Sequence, residues 1–373
     1  MLPALTPGTT RLADVLESSS LAASGMPSPL GLAPVDHALV VLVDGLGAEA
    51  LKAAAGHART LSAASSKRAT IESGFPTTTA AALGSLATGA APGAHGLVGY
   101  TVLDPDSGHL LNQLSGLESH PSPQSWQRAE TVFARARHRG IRTVAIGPER
   151  YRSSALTAAL WADADYLAGR TIAERFDRAR EFFAGPGGVG YLYIPELDMA
   201  GHAHGWQSAE WISALEEVDG AVRTLLPAIG PRAGMLLTAD HGMVDVAAHQ
   251  HVLIPPALLE GVRYVAGEPR CLQLHLEPGT SLDAVLERWR TAESARAWVL
   301  SRDEAVGAGW FGELAPGVAS RIGDVLVAAR KNVVYYDPAT ASASARAMIG
   351  QHGSWSSAEL RVPLLRWGAF AAG

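Results

Sequence analysis

Three apolar runs in this chain of 373 residues end at an aspartate or a few residues before one. Ala38 to Val43 runs into Asp44, Val189 to Ile194 precedes Asp198, and Met235 to Ala239 runs into Asp240. Taken singly, an aspartate at such a position reads as a helix cap or a turn residue. Two of the three have histidine neighbours. Asp198 and His202 stand four apart in Asp-Met-Ala-Gly-His, a spacing that puts both on one face of a helical turn, and Asp240 adjoins His241 in Asp-His-Gly-Met. Carboxylate oxygen and imidazole nitrogen together suit zinc or manganese. The chain has one cysteine, Cys271, so a disulfide framework and a multi-cysteine metal site are excluded, and any metal must take His, Asp and Glu. Gly350-Gln-His-Gly353 supplies a further histidine, His352, where the flanking glycines let the backbone come close to a metal or substrate. Alone, His352 reads as a surface loop residue.

The run from Gly74 to Gly89 combines three threonines, Thr77, Thr78 and Thr79, with an Ala- and Leu-rich stretch and a glycine stop. It reads as a threonine-capped helix, with at least one of Thr77 and Thr78 as the cap. A hydroxyl at a helix N-terminus also stands among free amide N–H groups, a place that favours phosphate oxygens and a developing alkoxide. Threonine is a poor nucleophile at neutral pH, so that reading needs a metal. His249 and His251 read as solvated loop residues, His204 as second to His202, His95 as packing, and Cys271 as a small buried residue. Trp206, close to His202, is the tryptophan expected nearest a substrate.

These residues need a frame. The apolar runs, with Thr143 to Ile146, read as buried strands, and amphipathic helices are expected over Gln124 to Arg139, Thr171 to Phe183 and Ser208 to Leu226. Strands alternating with helices predict an α/β fold with a mostly parallel sheet and ligands beyond the strands' carboxyl ends. After Pro256 the units shorten, which predicts a small α+β insertion over 261–330, with 30–260 and 331–373 forming the core. Hydrophobic residues make up 47% and charged residues 18%, an ordinary globular balance that excludes a disordered chain. The formal charge of −6 argues against a nucleic-acid scaffold. No apolar run approaches the length of a membrane span and no secretory leader is visible, so the expectation is a cytoplasmic protein with no membrane segment.

Phe75-Pro-Thr-Thr-Thr79, Ala87-Thr-Gly89, His95-Gly-Leu-Val-Gly99, Asp198-Met-Ala-Gly-His202, Asp240-His-Gly-Met243 and Gly350-Gln-His-Gly353 occur in this order. Together they resemble the nucleotide pyrophosphatase/type I phosphodiesterase family of the alkaline phosphatase superfamily. The resemblance implies an alkaline phosphatase-like three-layer sandwich with two divalent metal ions, Zn2+ foremost and Mn2+ as the alternative. It assigns one metal to Asp198, His202 and His352 and the other to Asp44, Asp240 and His241. It places the nucleophile at Thr79, which leaves Thr77 as the expected cap. The chain departs from the family at Tyr100, where an asparagine commonly binds a phosphate oxygen; a phenol there can donate a hydrogen bond or stack on a leaving group. It departs again at Ala80-Ala-Ala82, in place of Phe-Pro-Asn.

The expected function is therefore metal-dependent hydrolysis of small-molecule phosphodiesters or nucleotide pyrophosphates through a covalent phosphothreonine. The alternatives are a phosphomonoesterase or phosphonate hydrolase on the same site, or a non-catalytic metal-binding protein of this fold. A monoester carries an extra negative charge, and no Arg or Lys adjoins these motifs in the sequence.

Overall fold

The computed structural model describes residues 2–65 and 69–371. Its main sheet has six strands in the order Leu365–Gly368, Ala233–Thr238, His37–Val43, Gly188–Ile194, Thr143–Gly147 and Asp165–Ala168. All neighbours run parallel except the edge strand Leu365–Gly368, which lies antiparallel to Ala233–Thr238. The central strand, His-Ala-Leu-Val-Val-Leu-Val, is apolar almost throughout because helices cover both faces of a parallel sheet and leave no polar side. Two helical groups supply that cover. Ala13–Ala23 packs with Thr79–Thr88 and Val132–His138, while Ala209–Leu225 packs with Ile172–Ala184 and Arg59–Ala63. The result is the expected three-layer sandwich, with its largest core around the central strands. Among the described residues no helix is long and apolar enough to cross a membrane.

Register brings the chemistry to one edge. Val43 lies opposite Ile194 and Leu42 opposite Thr238, so the chain leaves all three strands at the same height and enters the segments that carry Asp44, Asp198 and Asp240. Gly45, at φ +74, lets this turn close: a Cβ there would sit 3.1 Å from Asp198 Cα.

The helix expected over Gln124 to Arg139 is two helices, Pro123–Trp126 and Val132–His138. Its middle turns extended at Gln127, the Arg128 amide donates to the His95 carbonyl at 3.0 Å, and Thr131 caps the second helix through the Ala134 amide. A distant acceptor thus competes with the local helical bond. His251, expected in a solvated loop, lies in the strand His251–Leu253, which pairs with Val334–Tyr336, and its ring meets Tyr336 edge to face.

A second sheet of six antiparallel strands has the order Ala297–Ser301, Val325–Ala329, Cys271–Leu276, Val262–Glu268, Thr101–Asp104 and His109–Asn112. The segment 261–330 supplies four of these strands, and the hairpin at 101–112 supplies the others. A separate apolar cluster fills the space between this sheet and the helix Leu282–Glu293.

A buried ion pair ties the second sheet to the short helix Ser357–Leu360, just before the main sheet's edge strand. Arg270, in the tight hairpin before Cys271, makes two 2.7 Å bonds to Glu359, and both side chains are fully buried. Its remaining reach holds the carbonyls of Lys331 and Val333. Arg270→Met should cost about 3–5 kcal/mol in chemical unfolding, because it strands a buried carboxylate, and Arg270→Met combined with Glu359→Leu should recover most of that. A double variant as unstable as the single one would show that the pair's other hydrogen bonds dominate.

Candidate metal centre

Asp198 and His202 lie on the helix Glu196–His204, with Asp198 Oδ2 and His202 Nε2 3.4 Å apart. Gly201 lets this helix press on the Asp240 loop, since a Cβ there would meet Met243 Sδ at 2.4 Å. His352 completes the group, with its Nε2 3.2 Å from His202 Nε2 and 3.9 Å from Asp198 Oδ1. On the other side, His241 Nε2 is 3.4 Å from both Asp44 Oδ1 and Asp240 Oδ2. The two groups adjoin, because the His241 and His352 rings stack at 3.6 Å. All six residues assigned to metals are therefore together.

Hydrogen bonding fixes which atoms face inward. The Nδ1 atoms of His202, His352 and His241 donate to the carbonyls of Gly350, Thr77 and Gly242 at 2.8, 2.8 and 3.1 Å. A carbonyl only accepts, so each Nε2 presents a lone pair to the cluster. The carboxylates follow the same pattern. Asp240 Oδ1 accepts from the Gly45 and His241 amides, and Asp44 Oδ2 from the Tyr193 hydroxyl. Asp44 Oδ1, Asp240 Oδ2 and Asp198 Oδ1 are left buried without a hydrogen-bond partner.

Lone pairs and anionic oxygens thus face one another at 3.2–3.9 Å. Among the described residues no Lys or Arg lies within ion-pair distance of these aspartates. Burial, reinforced by Asp240 and Asp198, raises the Asp44 carboxyl well above its ordinary range, against the pull of Tyr193. Burial also raises Asp198, with His202 and His241 opposing. His352 is pushed well below the usual imidazole range by burial and then by the other two histidines. Such a donor set fits divalent cations. Two overlapping ligand groups, Asp44 with Asp240 and His241, and Asp198 with His241 and His352, have their donor atoms within 4.8 Å of one another.

Thr79 is the first residue of the helix Thr79–Thr88, and its Oγ1 lies 3.2 Å from His241 Nε2. Thr77, expected as the helix cap, does not cap it. The N-cap position is Thr78, which makes no side-chain cap bond, and the Thr77 hydroxyl donates to the Ser354 carbonyl at 2.7 Å and accepts from the Gly353 amide at 3.1 Å. Two buried polar groups of the His352 loop win this hydroxyl from the helix amides. Tyr100 precedes the strand Thr101–Asp104, is 38% exposed, and accepts the Gln113 amide on its carbonyl at 2.7 Å. His95 is buried against Ser85, 3.1 Å away. Trp206 packs edge-on against Trp211, with its amide on Asp245.

Two residues outside the expected set belong to the site: Tyr193, which holds Asp44, and Glu268. Tyr193 sits in a strand with Tyr191, and phenols in a buried run are a signal of partners to be satisfied. Glu268 is buried beside Gly353, whose Cβ would meet its Cδ at 2.5 Å. Burial pushes its carboxyl up to about 8, with the Thr78 hydroxyl partly offsetting this. The folded protein therefore keeps this proton where the unfolded chain, near 4.5, has lost it. The stability Glu268 contributes is full below about pH 4.5 and declines as pH rises toward about 8. In chelator, urea unfolding of Glu268→Gln should lack that decline, so the variant gains on the native protein between about pH 5 and about pH 9. Parallel stability profiles would contradict this.

Comparison with known proteins agrees with this architecture. The type I phosphodiesterase / nucleotide pyrophosphatase family model matches residues 38–355. An uncharacterized pyrophosphatase/phosphodiesterase of Schizosaccharomyces pombe is 26% identical over 184 residues, covering 46% of this chain and 37% of that protein. Human ectonucleotide pyrophosphatase/phosphodiesterase family member 1 is 23% identical over 208 residues, covering 48% of this chain and 20% of that protein. Each match thus spans well under half of the curated relative's length. Among solved structures, murine ectonucleotide pyrophosphatase/phosphodiesterase 5 superposes with TM-score 0.67 at 17% identity, covering 88% of this chain and 87% of that one. Phosphonoacetate hydrolase of Sinorhizobium meliloti 1021, solved with phosphonoformate, superposes with TM-score 0.68 at 19% identity, covering 90% and 91%. Those two likenesses speak to the fold. The family match spans most of the sequence, and the chain belongs to the type I phosphodiesterase / nucleotide pyrophosphatase family.

Proposed function

We propose that this protein hydrolyses phosphodiester or nucleotide pyrophosphate bonds of small molecules through a covalent intermediate on Thr79. The observation that carries the reading is the Thr79 hydroxyl, buried at a helix N-terminus and 3.2 Å from His241 Nε2, beside a cluster of unpaired carboxylate oxygens. In this reading Asp198, His202 and His352 hold one divalent cation and Asp44, Asp240 and His241 the other, with zinc or manganese as the ion. Bound there, the cations would lower the hydroxyl's pKa and neutralise phosphoryl charge. Thr79 stands at the N-terminal end of its helix, where the dipole favours a developing alkoxide, and His241, stacked on His352, lies against its hydroxyl.

Preference for a diester over a monoester rests on a cavity of about 270 Å³ next to the cluster. Leu83, one helical turn beyond Thr79, and Tyr193, which bonds Asp44, both line it, with Tyr151, Trp161, Tyr166 and Tyr191. A second ester group attached to the phosphorus has a wall of aromatic and aliphatic side chains to occupy. Tyr100, in the place of the family's asparagine, is proposed as a further substrate contact.

Thr79→Ala should lower turnover of a chromogenic phosphodiester by at least about a thousandfold, with both cations still bound by elemental analysis. Acid quenching of the native enzyme during turnover should leave phosphate on Thr79, located by mass spectrometry. Phosphate found on Thr77 or Thr78, or none during a rate-limiting second step, would sink the reading. If the Tyr100 hydroxyl bonds a phosphoryl oxygen in the transition state, Tyr100→Phe should cut kcat by about tenfold to hundredfold with little change in KM. Unchanged kinetics for both Tyr100→Phe and Tyr100→Ala would remove it from the site.

A further inference from the structure

The sequence has no cation next to the metal motifs, but the fold brings one there. After the strand Thr143–Gly147 the chain makes a short turn, Glu149–Tyr151, at the same carboxyl edge of the sheet as the cluster. Arg150 in that turn lies with its guanidinium carbon 4.8 Å from the Tyr151 ring centre, and its Nη2 is 3.3 Å from Met199 Sδ. Met199 directly follows Asp198. The Tyr151 ring is 6.0 Å from that of Tyr193, which bonds Asp44. Arg150 is therefore an exposed side chain between Tyr151, which lines the aromatic cavity, and Met199, the neighbour of a cluster aspartate.

Its neighbours are committed elsewhere. Arg152 makes two bonds to Glu149, at 2.9 and 3.1 Å, and one to the Tyr166 carbonyl at 3.0 Å. Arg175 is paired with Glu196. Among the described residues no carboxylate lies within ion-pair distance of Arg150, and a thioether is only a weak acceptor. The guanidinium rests against the aromatic face and the methionine, and most of its fork of N–H donors is left open.

We propose that Arg150 is a specificity-determining residue that binds a second anionic group of the substrate, a carboxylate or a further phosphate carried a few atoms from the phosphorus under attack. The proposal rests on the reading of the site as a phosphodiester hydrolase. It narrows the substrate class from any diester to one with a charged arm. A planar anion accepts two parallel bonds from the open fork, whereas an uncharged arm gains nothing there.

The test compares three phosphodiesters that share a 4-nitrophenyl leaving group and differ in the second ester: ethyl, carboxymethyl and 2-phosphoethyl. The native enzyme should favour at least one charged arm over ethyl in kcat/KM. In Arg150→Gln that preference should fall by about tenfold to hundredfold, mainly through KM, and Arg150→Lys should retain part of it. Whichever charged arm is favoured identifies the anion as carboxylate or phosphate. Native enzyme that prefers ethyl, or a preference equal in native and Arg150→Gln proteins, would overturn the proposal. Binding of the same esters to cation-loaded Thr79→Ala protein gives the comparison without turnover. Absent hydrolysis with the binding preference intact would refute the hydrolase reading and leave Arg150 in its role.

Discussion

Three carboxylates, each with an oxygen buried within reach of the others, set the terms for this molecule. Asp44, Asp198 and Asp240 follow three strands that end at one height, and each keeps a buried oxygen without a hydrogen-bond partner. Without compensation, such an arrangement is electrostatically costly, and the raised carboxyls of Asp44 and Asp198 register that cost. Among the described residues no Lys or Arg lies within ion-pair distance to relieve it. The surrounding polar contacts are directed at holding the unrelieved atoms in place. Carbonyls orient the three histidines, amides and a phenol fasten the far oxygens of Asp240 and Asp44, and Gly45 removes the one Cβ that would keep Asp44 from Asp198.

The second sheet contributes to this precision from a distance. Arg270 grips Glu359, Glu359 Oε1 accepts the Ser354 amide at 3.0 Å, and the Ser354 hydroxyl bonds the Ala329 carbonyl at 2.7 Å. Ser354 in turn takes the Thr77 hydroxyl, and the Thr77 carbonyl receives His352 Nδ1. A continuous chain of bonds therefore runs from the antiparallel sheet to a histidine of the cluster. Thr77 precedes Thr79 by two residues, so one short segment orients both a cluster histidine and the hydroxyl proposed to attack.

Much of this architecture was legible in the sequence for a physical reason. Parallel strands buried on both faces read as unbroken apolar runs, and the histidines and aspartates fall in short motifs whose local spacing already brings members together. What stayed hidden depends on distant partners. The break in the helix after Trp126 answers to the carbonyl of His95, the Thr77 hydroxyl to a loop 277 residues away, and Tyr193 to an aspartate 149 residues earlier. Arg150 was hidden for the same reason, since nothing near it in sequence marks the cluster. Propensity and period describe a segment's neighbours along the chain, and these four features answer to neighbours across it.

The hairpin at Thr101–Asp104 and His109–Asn112 gives the second sheet a dependence that its compactness in sequence conceals. Thr101 pairs with Gly267 and bonds its carbonyl, so the strand Val262–Glu268 has its outer neighbour supplied from the far side of the main sheet's chain order. Deleting the segment 261–330 would leave that hairpin without its partner strand and expose backbone donors and acceptors along a fresh edge, a surface that invites pairing with other chains. The segment is therefore poorly suited to exchange as a cassette among relatives.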